Sequence, residues 1–185
     1  LARLTPTFGW VDLPDYRGWK PGDPAPMPPA SAMENGVEGE RLRLDGRILT
    51  TSGTPIEKTR IEFWQADADG KYHMSDYRLR GVAWTGADGR FFVNTIMPGY
   101  AGQLRHIKYL ATAFLPGRRQ HPSICAGVYF ATEDELNRPI PDAHRPYVRP
   151  GAQVYRDDPA FLSLNRLPIQ NGVRRVLYDI VFDFE

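Results

Sequence analysis

Short segments in which polar and apolar residues alternate, each closed by turn residues, constrain this chain more than any other feature. Arg41-Leu42-Arg43-Leu44-Asp45-Gly46-Arg47-Ile48-Leu49 alternates, and so does almost all of Arg175-Val176-Leu177-Tyr178-Asp179-Ile180-Val181-Phe182-Asp183-Phe184. Successive strand side chains point to opposite faces, so a period of two marks a strand with one dry face. Residues 59–66, 82–85, 90–96 and 108–114 add further strands, and Ser52-Gly53-Thr54-Pro55 supplies turn chemistry. Ala87-Asp88-Gly89 predicts a hairpin between its flanking strands. Only Thr132-Glu133-Asp134-Glu135-Leu136-Asn137 reads as helix, with Thr132 as N-cap and Glu135 closing a capping box. Strands this short and this numerous predict a β-sandwich or barrel.

Residues 1–40 have another texture. Pro14, Pro21, Pro24, Pro26, Pro28 and Pro29 with Gly18 and Gly22 forbid a regular ladder, so the segment runs extended. Trp10, Tyr16 and Trp19 are costly to leave in water, which predicts an ordered arm packed on the domain or on a neighbouring subunit. The chain thus divides into an arm, 1–40, and a β domain, 41–185, with a homo-oligomer through the arm as one consequence. At 185 residues and 42% hydrophobic, the chain suits one core. Lys and Arg number 23 against 22 Asp and Glu, a net charge of +1 that argues against a nucleic-acid partner. No apolar run nears the ~18 residues of a membrane span. Cys125 has no disulfide partner and reads as core. The first residue, Leu1, marks no compartment; the cytoplasm is expected, with an exported mature chain as the alternative.

Two clusters carry the chemistry. One is Gly70-Lys71-Tyr72-His73, the other Pro98-Gly99-Tyr100-Ala101-Gly102-Gln103-Leu104-Arg105-His106-Ile107-Lys108. Together with Trp64-Gln65-Ala66 and Val128-Tyr129-Phe130, they resemble the intradiol ring-cleavage dioxygenases, in which the second segment reads approximately Pro-Gly-x-Tyr-x-Gly-Arg-x-x-His-Ile-His. The resemblance covers most of the chain and is most specific between Trp64 and Ile107. It implies two packed antiparallel sheets with the site on loops at one edge. In that family two tyrosinates and two histidines hold a ferric ion, hard anionic oxygens suiting a hard cation.

Carried over residue by residue, the iron ligands are Tyr72, Tyr100 and His106. The fourth falls on Lys108, an ammonium that repels a cation. The family's arginine falls on Gln103, and its frequent glutamine falls on Gly127; with Trp84 these stand as substrate-binding positions. His73, His121 and His144 read as solvated loop side chains. The departures at Lys108 and Gln103 point to a pocket without a cofactor, in which Lys108, Tyr72, Tyr100 and His106 perform acid–base chemistry. The reaction would be an isomerisation, cyclisation, elimination or hydration of a small aromatic or polyketide-like molecule. A ferric dioxygenase cleaving a catechol-type ring is the alternative, and an inactive ligand-binding homologue the second. Asp67-Ala68-Asp69-Gly70 lacks the later ligands of a calcium loop and reads as a strand-end turn.

Overall fold

The structure is a computed structural model, and it describes residues 2–10, 27–102 and 104–184. In one sheet β1 (Arg41–Thr50) is the central strand. It pairs antiparallel with β4 (Arg90–Ile96) and parallel with β9 (Val173–Leu177) and β10 (Ile180–Phe182), and β8 (Ile169–Gln170) joins β9. The other sheet runs in the order β3 (Arg80–Trp84), β2 (Thr59–Gln65), β5 (Arg105–Ala113), β6 (Ser123–Ala131), β7 (Phe161–Ser163). The sandwich expected from the sequence is therefore present, mostly antiparallel, with parallel pairs at β1 and at β6–β7.

Between the sheets lie alternate residues of each strand: Leu42 and Leu44 from β1, Ile61 and Phe63 from β2, Ile107 and Tyr109 from β5, Val128 and Phe130 from β6. All are at most 1% exposed, and each such side chain contributes roughly 1.5–3 kcal/mol by leaving water. Tyr109 buries a hydroxyl as well, which meets Tyr178 Oη at 3.3 Å. Burial pushes both phenols up, that of Tyr178 to about 12, so the pair remains uncharged.

Two expectations change. Ala87-Asp88-Gly89 is not a hairpin turn, because β3 pairs with β2 while β4 pairs with β1. The same turn chemistry carries the chain from one sheet to the other, and local sequence does not distinguish these uses. The alternating run at the C-terminal end is also divided. Tyr178 N–H turns to the Asp45 carbonyl, and the Asp179 carboxylate accepts the Arg47 N–H at 2.9 Å, so a side chain replaces a rung of the ladder.

The described part of the arm is tied to both sheets. Thr7 exchanges hydrogen bonds with Val181, and Trp10 N–H donates to the Cys125 carbonyl at 2.7 Å. Trp10 is 7% exposed and packs on Trp64 and Cys125, while Ala30 and Met33 enter the main core. Tyr16 and Trp19, also expected to pack, lie outside the described residues. Among the described residues no helix is long and apolar enough to cross a membrane.

Candidate functional site

The outward face of β5 carries His106, Lys108, Leu110 and Thr112, because Ile107, Tyr109 and Ala111 take the core. Lys108 stands between Trp64 on β2 and Gly127 on β6, and His106 stands beside Tyr129. This face would be open to water on a bare sheet. Here Trp10, Ala101, Gly102, Leu104, Tyr147 and the chain at residues 144–155 cover it, leaving a cavity of about 220 Å³. The edge-loop site expected from the resemblance is thus half strand and half loop.

Tyr72 arrives from the turn after β2. Asp67 builds that turn: its carboxylate accepts the N–H groups of Asp69 and Lys71 and the Nε2–H of His73. Burial alone would raise the Asp67 pKa, yet these hydrogen bonds hold it below the usual carboxylate value. This is the strand-end turn expected, not a calcium loop. The second tyrosine loop docks against the first backbone to backbone. Gly99 N–H donates to the Asp67 carbonyl at 2.8 Å, and a Cβ on Gly70 would stand 2.1 Å from the Tyr100 carbonyl oxygen. Gly70 also has φ +82°, a conformation that disfavours side chains. Buried Gln65 fixes the strands behind these loops, donating to the Ile96 carbonyl and accepting from the Thr95 hydroxyl.

His106 has a determined tautomer. Nδ1–H donates to the Leu104 carbonyl at 3.1 Å, so Nε2 carries the lone pair and accepts from Tyr72 Oη at 2.9 Å. Lys108 is 7% exposed, with its ammonium 5.2 Å from the centre of the Tyr72 ring. Tyr72, His106 and Lys108 are therefore brought together. Tyr100 is not: the residue is 43% exposed, Arg105 lies over its ring at 4.7 Å, and its hydroxyl donates to Glu135 Oε1 at 3.0 Å. Glu135 belongs to α1 (Glu133–Leu136), where it completes the expected capping box with Thr132. Gly127 is in place opposite Lys108. Trp84 lies at the far end of the sheet, 55% exposed against Phe114, and does not line the cavity. Gln103 is outside the described residues.

Other side chains complete the site. Tyr129 shares the cavity face with His106, and the missing side chain at Gly127 leaves room for its ring; a Cβ there would come within 3.1 Å of it. The spacing of Gly127 and Tyr129, two residues apart on one strand face, was the available signal. Burial, then the charge of Asp158, raises the Tyr129 pKa and keeps the phenol protonated. Tyr129 stacks on Phe161 at 4.3 Å. The loop histidines divide as well. His73 is bound to Asp67 and His121 packs on Phe114, but His144 lines the cavity with His106, which corrects its reading as a solvated side chain.

Among the described residues no group of three His, Cys, Asp or Glu side chains gathers to hold a metal. Metal binding here would depend on tyrosine oxygens. The donors present fit a ferric ion in kind: a phenol oxygen and an imidazole lone pair meet at 2.9 Å with the tautomer already set.

Comparison with known proteins accords with this geometry. The profile of a family described as "Dioxygenase" matches residues 14–148. Over 69 residues the chain is 41% identical to hydroxyquinol 1,2-dioxygenase of Rhizobium sp. (strain MTP-10005), covering 34% of this chain and 23% of the relative. Over 80 residues it is 38% identical to the protocatechuate 3,4-dioxygenase beta chain of Burkholderia cepacia, covering 37% and 34%. The chain thus spans about a quarter to a third of the length of these curated relatives. Among solved structures it resembles the dioxygenase domain of a dioxygenase carbohydrate-binding protein fusion from Streptomyces sp. SirexAA-E. There the TM-score is 0.68 at 28% identity, over 98% of this chain and 100% of the other. These relatives overturn the expectation of a pocket without a cofactor, since intradiol enzymes work on ferric iron. A lysine at one ligand position leaves the tyrosine and histidine donors beside it in place.

Proposed function

We propose, for a chain that belongs to the intradiol ring-cleavage dioxygenase family, that it is a ferric enzyme that opens a catechol-type ring. One observation carries the reading: His106 presents a lone pair at Nε2, fixed by Leu104 behind it, directly to Tyr72 Oη. An imidazole whose other nitrogen is tied to a carbonyl is arranged as metal-binding histidines are. Tyr72 and His106 would hold the iron, and Tyr100 would join them by exchanging its hydrogen bond to Glu135 for the metal. Bound there, the iron supplies the Lewis acidity and redox chemistry that let a catechol react with O2. In the overall reaction the bond between the two hydroxyl-bearing carbons breaks. Each of those carbons gains one oxygen atom of O2, giving an open-chain dicarboxylic acid.

The side chains supply the rest. Lys108 faces the same cavity with a buried ammonium, which steadies anionic oxygen on the substrate. Tyr129 and Phe161 form a flat wall for a ring, and Trp10 and Tyr147, in edge contact at 5.3 Å, exclude water. The cavity is smaller than the ~300–1,000 Å³ of drug-sized sites, which suits a small aromatic substrate.

The test is iron content and visible absorption after ferrous iron is added anaerobically and air is then admitted. A tyrosinate-to-iron band that disappears in Tyr72→Phe, together with O2 uptake on catechol or hydroxyquinol, is the expected result. A colourless, iron-free protein that takes up no O2 with either ring would overturn the reading.

A further inference from the structure

Trp84, expected from the sequence at the substrate, stands in a patch that ring cleavage does not use, at the far end of the outward face that carries His106 and Lys108. Trp84 is 55% and Phe114 37% exposed, with ring centres 5.6 Å apart. His121 continues the strip, 4.7 Å from Phe114. Contiguous aromatic surface turned to water marks a binding face, whereas single exposed rings do not. The register of the sheet fixes what borders the strip. Trp84 lies opposite Arg60, Arg60 opposite Thr112, and Thr112 opposite Ser123. Directly opposed residues share a face, so these four side chains form one row across β3, β2, β5 and β6. At the usual strand spacing the row is roughly 14 Å wide.

The chemistry of the border selects the occupant. Arg60 is paired with Glu62 and Lys58 with Glu57, so these charges cancel and do not suit a phosphate backbone. The core of a protein interface is dry and poor in charge. Here the rings are edged by the two ion pairs and by the Thr112 and Ser123 hydroxyls, 3.0 Å apart. A ligand with an apolar face and a rim of hydroxyls matches both parts, and a pyranose ring is such a ligand. Its slightly positive C–H groups lie on the electron-rich faces of Trp84 and Phe114, and its hydroxyls exchange hydrogen bonds with Arg60, Thr112 and Ser123. Successive rings of the strip are inclined by 33° and 53°, which fits a single twisted chain and not the flat face of a crystal. We propose that this face binds a neutral, soluble polysaccharide chain, independently of the cavity.

Native electrophoresis through gels containing hydroxyethylcellulose, arabinoxylan or galactomannan tests this, followed by calorimetry on the polysaccharide that retards the protein. At least one of the three should slow the wild type relative to a plain gel. Trp84→Ala should weaken binding at least about tenfold, the effect of truncating a central aromatic anchor. Thr112→Ala combined with Ser123→Ala should weaken it less. All these side chains lie on the surface, and melting curves establish that each variant is folded. Unchanged mobility in all three polysaccharides, or retardation that persists when Trp84→Ala and Phe114→Ala are combined, would overturn the proposal. So would a dimer in sedimentation that Trp84→Ala dissociates, because a second copy of the chain would then occupy the face.

Discussion

Gly70→Ala tests the arrangement that puts the two tyrosine loops side by side. Gly70 has φ +82°, and the missing Cβ would stand 2.1 Å from the Tyr100 carbonyl oxygen and 2.9 Å from its carbonyl carbon. The left-handed conformation alone costs a residue with a Cβ roughly 1–2 kcal/mol. Overlap with a backbone carbonyl adds roughly 1–3 kcal/mol, because a main chain held by the Gly99–Asp67 hydrogen bond cannot simply turn aside. For a domain of this size each kcal/mol lowers the melting temperature by about 2–4 °C. The internal control is Gly53→Ala: Gly53 has φ +85°, and a Cβ there meets nothing within 4 Å, so it carries only the conformational cost. Thermal melts followed by circular dichroism should place Gly70→Ala about 2–12 °C below Gly53→Ala, the range set by the overlap alone. Equal melting of the two variants would refute the claim that these loops dock backbone to backbone.

Thr132→Ala removes the N-cap of α1 and should cost about 1 kcal/mol, a fall of about 2–4 °C in melting temperature, with no change beyond error if the capping box is absent. The Asp67 pKa is lowered in the folded state, so its contribution to stability is present above the ordinary value of 3.8 and is lost as pH falls through the folded value. Asp67→Asn should therefore be less stable than wild type at pH 7, with the difference shrinking below about pH 4; parallel acid unfolding curves would contradict this. Trp10→Ala should destabilise by about 3–5 kcal/mol and speed the reaction of Cys125 with a thiol reagent, since Trp10 covers Cys125. An unaltered thiol rate would mean that Trp10 does not cover it.

What could be read from the sequence follows from the range of the forces involved. Alternation in β1, β2 and β5 reports a local period, and the sandwich was legible from it. The cap at Thr132 and Glu135 is also local, and it was found to the residue. Partner choice is not local. The turn at 87–89 has hairpin chemistry, yet β3 and β4 enter different sheets, because burial on each face, not the turn, selects the partner. The site shows the same division. Tyr72, His106 and Lys108 were placed by strand parity and motif spacing, and they do meet. Tyr100 was assigned by motif alone, and its hydroxyl is held by Glu135, a residue on another element that capping chemistry had already accounted for. A carboxylate that caps a helix and also holds a phenol cannot be recognised from either segment separately. His144 and Tyr155 lie 11 positions apart on two separate short 3-10 turns, too short to show a period in the sequence, so only the fold reveals that they meet at the cavity. Lys108 shows the opposite case. Its charge is evident in the sequence, but its effect depends on what shares the cavity, and an ammonium over the Tyr72 ring leaves the adjacent phenol–imidazole pair intact. A substitution at one ligand position changes the charge of the site without dismantling the donors beside it.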